Sequence, residues 1–308
     1  MISRRNIRVK VMQTLYITAT SDNVLKSDEP QKVLQAYFNQ TQELLVYLIY
    51  FIAEVCRYSE TYAHRRAGMH ITTFEDLNIN TKISGNKTLW KILEDNTLKE
   101  VQSRTKPHLI TDKEIIKKTY LSLAETAEYK TYINKVERDN KEEKEILEFI
   151  LDKLMLANEN FTSHIEDLFP NWEDDGEMII LILVSYLQKP GHTNFKEIIT
   201  ADKKDFAKRL LDTVEEKKEH LQSLIVPKLK NWDPERIALI DMILMEMGVS
   251  EFLYFETIPP KVTINEYIDL AKDYSTLQSG QFVNGILDNI HKELVQNGTM
   301  QKVDYKKT

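Results

Sequence analysis

Ile258-Pro259-Pro260-Lys261-Val262-Thr263-Ile264-Asn265-Glu266 runs through Leu270-Ala271-Lys272 to Ser279-Gly280-Gln281-Phe282-Val283-Asn284-Gly285-Ile286-Leu287-Asp288, and the fold is decided here. Pro259-Pro260 stops whatever precedes it. Thr263 with Glu266 then forms a capping box, in which the hydroxyl faces first-turn amides and the acid reaches back, so a helix restarts there. Ser275 to Ser279 breaks that helix, and a last one is predicted from about Gly280 to Leu294. Upstream, Asp233-Pro234-Glu235 reads as another helix start, with Asp as N-cap, Pro at the first helical position and an acid in the positive first turn.

Moving outward, the same helical spacing covers most of the chain, and strand-like alternation is never sustained, so the prediction is an all-α protein. Ile7, Val11 and Leu15 predict a helix from about Arg4 to Ala19. Ser21 to Pro30 is a polar break, and Leu34 to Tyr58 reads as a long, very apolar helix. From His64 to Pro107 the pattern weakens to a solvated loop with a short helix near Leu89 to Leu93. Thr111 with Glu114 predicts a capped helix to about Val136, followed by a charged stretch, Glu137 to Glu145. Asn171-Trp172-Glu173 and Asn231-Trp232-Asp233 stand in matching contexts, which leaves open a duplicated unit over residues 147–190. The tail, 297–308, reads as loose.

With 42% hydrophobic and 29% charged residues in 308, the chain can bury a core. Eight glycines and eight prolines leave little turn chemistry for an all-β design. Cys56 is the only cysteine, which excludes an internal disulfide and cysteine-based zinc patterns and fits a reducing cytoplasm. The longest apolar runs, Leu44 to Ala53 and Met178 to Val184, are too short to cross a membrane and read as buried core helices. Seven histidines form no ligand-spaced pair, and no nucleophile elbow, phosphate loop or dinucleotide fingerprint occurs. No enzyme activity, cofactor or metal is expected.

The net charge of −7 argues against general affinity for nucleic acid, yet Arg4, Arg5, Arg8 and Lys10 precede the first acidic residue, Asp22. Helical spacing puts Arg4, Arg5 and Arg8 on one face expected to be exposed, where they could fork onto phosphates. A solvated basic terminus explains them equally well. Phe282 could stack on an unpaired base or belong to the core, and Gly285 inside a helix suggests a close helix crossing.

Taken together, Arg4-Arg5-Asn6-Ile7-Arg8 with Gln13-Thr14-Leu15-Tyr16, then Asn231-Trp232, Glu235-Arg236 and Asp241-Met242-Ile243-Leu244, then the two opening strings, resemble the bacterial antitermination factor NusB family. The resemblance covers about residues 3–20 and 203–294. It implies a NusB-like pair of small helical bundles, residues 1–20 plus 201–296, with 21–200 as a helical insertion packed on it. It implies a cytoplasmic transcription antitermination factor that pairs with the ribosomal small-subunit protein NusE on boxA-type RNA, within an RNA polymerase antitermination complex. No membrane partner is expected. RNA contacts would come from Arg4, Arg5, Arg8, Gln13, Tyr16, Gln278, Ser279 and Phe282. Met242 and Glu246 stand where the family's central helix is commonly basic. The alternative is a helical protein–protein adaptor that kept the fold without RNA binding.

Overall fold

The computed structural model describes residues 2–21, 29–229 and 237–303. Within them the protein is all-α, with no strand among the described residues. The helix start expected at Asp233-Pro234-Glu235, the second Asn-Trp-acid group at 231–233 and Arg236 lie outside them.

The first helix, α1 (Arg4–Thr20), begins where Ser3 accepts a hydrogen bond from the Asn6 amide at 3.2 Å. The long apolar stretch forms α2 (Glu29–Ala67). The expected loop after it is mostly helical instead: α3 (Phe74–Leu77), α4 (Lys87–Glu94) and α5 (Asn96–Thr105). The two longer pieces are separately capped. Asn86 accepts from Leu89 N at 2.9 Å, and Asp95 accepts from Thr97 N and Leu98 N at 2.9 and 3.2 Å. Short, capped helices with one buried stripe lack the sustained periodicity that a long window detects.

The helix expected from Thr111 to Val136 is two helices, α6 (Lys113–Glu125) and α7 (Ala127–Asn134). Asp112 caps α6 in place of Thr111, whose hydroxyl donates to Pro107 O at 2.8 Å. Thr126 ends α6 and caps α7 by accepting from Tyr129 N. The charged stretch opens α8 (Asn140–Phe149), which continues as a π-helical run, Ile150–Leu156. There follow α9 (Glu159–Leu168), α10 (Trp172–Gln188), α11 (Ala201–Glu216), α12 (Lys218–Ile225), α13 (Leu239–Tyr254), α14 (Pro260–Tyr274) and α15 (Ser279–Gln296). Pro260 opens α14 as its first residue, so the helix begins at the prolines and not at Thr263. Thr263 is buried one turn in.

The chain divides into two units, residues 38–198 and residues 2–37 with 199–308. In the first, Leu44 to Cys56 line the core, where Tyr47 meets Phe169 and Phe51 meets Phe161 at ring separations of 5.2 and 4.7 Å. Asn171 and Thr41 both donate to the buried Asp175 carboxylate at 2.7 Å, and the Trp172 ring lies against Gly176. The first Asn-Trp-acid group is therefore a packing device. The run Met178 to Val184 is only half core: Ile179 and Leu183 are buried, but Leu181 is 66% exposed.

In the second unit every residue of α13 from Ile243 to Phe252 is buried, the pattern of a central helix. Its neighbours include α1, α11, α12, α14 and α15. A Cβ on Gly248 would stand 2.9 Å from Leu287, so the close crossing is made at Gly248. Gly285, expected to make such a crossing, has open space around its Cβ position. Part of the tail is tied down. Val303 N donates to Glu256 O at 3.1 Å and Lys302 Nζ donates to Glu251 O and Phe255 O at 2.7 Å, capping the end of α13.

Candidate nucleic-acid interface at the heads of α1 and α15

Arg8 reverses the expectation of an exposed arginine face. It is 2% exposed, with Nε and Nη2 on the Glu251 carboxylate at 2.7 and 3.1 Å and Nη1 on Glu266 at 3.1 Å. The fully buried Glu251 also accepts from Thr263 Oγ1 and Tyr267 OH, each at 2.9 Å. Burial alone would lower the Arg8 pKa, but Glu251 outweighs it and holds the guanidinium above its ordinary value. Burial, with Glu251 beside it, likewise holds the Tyr267 phenol well above its own. This is a complete bidentate ion pair joining α1 to α13 and α14. Arg8 therefore has no face to offer RNA.

Arg5 is partly exposed and bonds Asp273 at 2.6 Å, near the end of α14. Arg4 is exposed, with its guanidinium 5.5 Å from the Phe206 ring centroid. Of the three arginines, Arg4 alone is both exposed and clear of a carboxylate within ion-pair distance among the described residues. Tyr16 is exposed and Gln13 half-buried, one helical turn apart. Lys10 is buried, with Nζ 5.7 Å from the Tyr37 ring centroid.

At α15 the residues diverge in the same way. Ser279 is buried, and its hydroxyl donates to Asp241 Oδ2 at 2.8 Å while meeting Ser275 and Thr276 at 2.9 Å. It clamps the turn onto the head of α13 and is not a surface contact. Gln278 is exposed and Phe282 half-buried. Both line a groove of about 630 Å³ with Ile237, Ala238, Asp241, Gln281 and Gly285. Among the described residues nothing stands within 4 Å of the Gly285 Cβ position. Asp241 Oδ1 is buried with no hydrogen-bond partner among the described residues. Unlike Glu251, whose two oxygens are both bonded, it leaves one acceptor unused among the described residues, beside the aromatic ring.

Glu246 lies away from any such surface. It is buried, accepts from Gln222 Nε2 at 2.8 Å, and burial raises its pKa. Sequence reasoning gave no site role to Asp241, Glu251 or Phe206, because a single carboxylate or ring on a helix gives no local signal of the group it will meet. Among the described residues no cluster of His, Cys, Asp or Glu is suited to hold a metal ion, and no helix is long and apolar enough to cross a membrane.

The NusB family profile matches residues 180–292, which include the groove, Asp241, Glu251 and Phe282. Proteins named transcription antitermination protein NusB are similar over the same order of length. That of Chloroherpeton thalassium is 40% identical over 99 residues, 32% of this chain and 47% of that one. That of Methylacidiphilum infernorum is 42% identical over 90 residues, 29% of this chain and 63% of that one. That of Salinibacter ruber is 41% identical over 99 residues, covering 32% and 62%. The match thus spans between about half and under two thirds of these relatives. Among solved structures, T. maritima NusB is 29% identical, covering 40% of this chain and 82% of that one, with a TM-score of 0.30. From within α10 to within α15, then, this chain is similar to the NusB family.

Proposed function

We propose that this protein is a non-catalytic, cytoplasmic RNA-binding factor of transcription antitermination, which holds boxA-type RNA together with the ribosomal protein NusE and acts on RNA polymerase. The observation that carries the reading is the groove at the head of α15. A half-buried aromatic, a buried carboxylate oxygen without a partner among the described residues and the exposed amide of Gln278 converge on one opening inside the NusB-matching segment. Single-stranded RNA is read in this manner, by stacking an unpaired base on an aromatic and bonding its edge. In this reading Phe282 is the stacking platform, Asp241 Oδ1 accepts from a base N–H, and Arg4, with Gln13 and Tyr16, meets the backbone. Arg5 contributes only by leaving its aspartate.

Fluorescence anisotropy with a labelled boxA RNA tests this. Phe282→Ala should weaken binding by about 1–3 kcal/mol, the usual worth of one base–aromatic stack. Unchanged affinity would remove Phe282 from the interface. A second reading, a protein–protein adaptor without RNA binding, is favoured by the ion pairs that occupy Arg5 and Arg8. It predicts NusE binding with no RNA shift.

A further inference from the structure

In the unit that holds α1 and α11 to α15, two buried rings meet edge to face: Phe206 of α11 and Phe255, just past the end of α13, with centroids 5.5 Å apart. An exposed arginine lies over each ring. The Arg4 guanidinium is 5.5 Å from the Phe206 centroid and that of Arg209 is 5.1 Å from the Phe255 centroid. No more than three such steps separate the two charges, so arginines far apart in sequence share one surface.

Neither charge is neutralised within the protein among the described residues. Arg209 Nη2 donates to Tyr254 O at 3.3 Å, which uses one of the five guanidinium donors and supplies no counter-charge. Arg4 stands in the first turn of α1, where the helix dipole disfavours a cation, and that turn contains no acid. Acids do occur nearby. From Asp202 to Arg209, α11 carries Asp202 and Asp205 against Lys203, Lys204, Lys208 and Arg209, four cations to two acids. Neither aspartate is within ion-pair distance of Arg4 or Arg209. Resting on fixed rings, the two guanidinium groups have already lost much of the rotamer freedom that binding an anion would remove.

The row also adjoins the groove at α15. Arg5, next to Arg4, bonds Asp273 at 2.6 Å, and five residues beyond Asp273 stands Gln278 on the groove's rim. We propose that Arg209 is a further RNA-backbone contact, forming with Arg4 a phosphate track over the Phe206–Phe255 pair for the same strand whose base stacks on Phe282. A phosphodiester suits the site, since the guanidinium fork matches phosphate oxygens. The inference rests on the RNA-binding reading above and adds to it a contact on α11.

Anisotropy titrations of the full chain with labelled boxA-containing and scrambled RNAs, each over a salt series, test it. Arg209→Met keeps an apolar chain to cover Phe255 and removes the charge. It should flatten the slope of log affinity against log salt by about 0.7, the share of one phosphate contact to a single strand. The flattening should be equal for both RNAs, because phosphate contacts carry no sequence information, and the thermal midpoint should not move. Arg209→Gln, which also keeps a donor for Tyr254 O, should repeat the result, and Arg209→Lys should keep the slope. Combined with Arg4→Ala, Arg209→Met should flatten it by about 1.4. Lys292→Gln, at a lysine already paired with Asp288, should change nothing. An unchanged slope in Arg209→Met, while Phe282→Ala still weakens binding, overturns the track and leaves the groove reading standing. A loss confined to the boxA RNA overturns the backbone assignment. A flattened slope with Phe282→Ala silent supports the track and removes the groove, and a full chain that binds neither RNA overturns both.

Discussion

Removing one member of a buried ion pair strands the other, and at Arg8 the residue left behind would be Glu251, fully enclosed between α13 and α14. Arg8→Met should therefore cost about 3–5 kcal/mol in denaturant unfolding, the range for a broken buried pair. A cost under about 1 kcal/mol is what an exposed arginine would give. Gly285 works the other way. An alanine there meets open space and should add about 0.5–1 kcal/mol by restricting the unfolded chain. Gly285 is one of the residues lining the groove beside Phe282, so RNA affinity should fall as stability rises. Higher stability with unchanged RNA affinity would mean that no base enters there.

On the scale of elements, α1 divides its arginines by direction. Arg8 turns inward to α13, Arg5 leans on Asp273, and Arg4 remains outward over Phe206. Each phosphate contact to single-stranded RNA contributes about 0.7 to the slope of log affinity against log salt. Arg4→Ala should thus flatten the slope by about 0.7, in place of the roughly threefold larger change that three exposed arginines would give. Titration of RNA binding over a salt series measures this, and a slope unchanged in Arg4→Ala would leave α1 outside the interface. The sequence marked α1 and α15 well, because long amphipathic runs repeat the same signal over several turns. It hid α5 and the break between α6 and α7. There the deciding groups are single side chains, Asp95 and Thr126, whose capping depends on which amides the backbone leaves free.

For the molecule as a whole, the all-α class was legible because little glycine, proline or strand alternation competes with helix. The candidate site was legible only in part. Residue type and spacing pointed to Arg4 and Phe282, and the family resemblance added Gln278, but the first clue also marked Arg8 and the second Ser279, which the tertiary structure consumes in bonds to Glu251 and Asp241. Spacing along one helix cannot show a carboxylate arriving from another helix more than 200 residues away. The most direct test of the central claim is the affinity of the full chain, with NusE present, for a boxA-containing RNA against a scrambled RNA of equal length. RNA binding through the groove predicts that boxA binds at least about tenfold tighter, about 1.4 kcal/mol, and that Phe282→Ala erases most of the difference. Equal affinities for the two RNAs, or no binding of either while NusE still binds, would contradict the account.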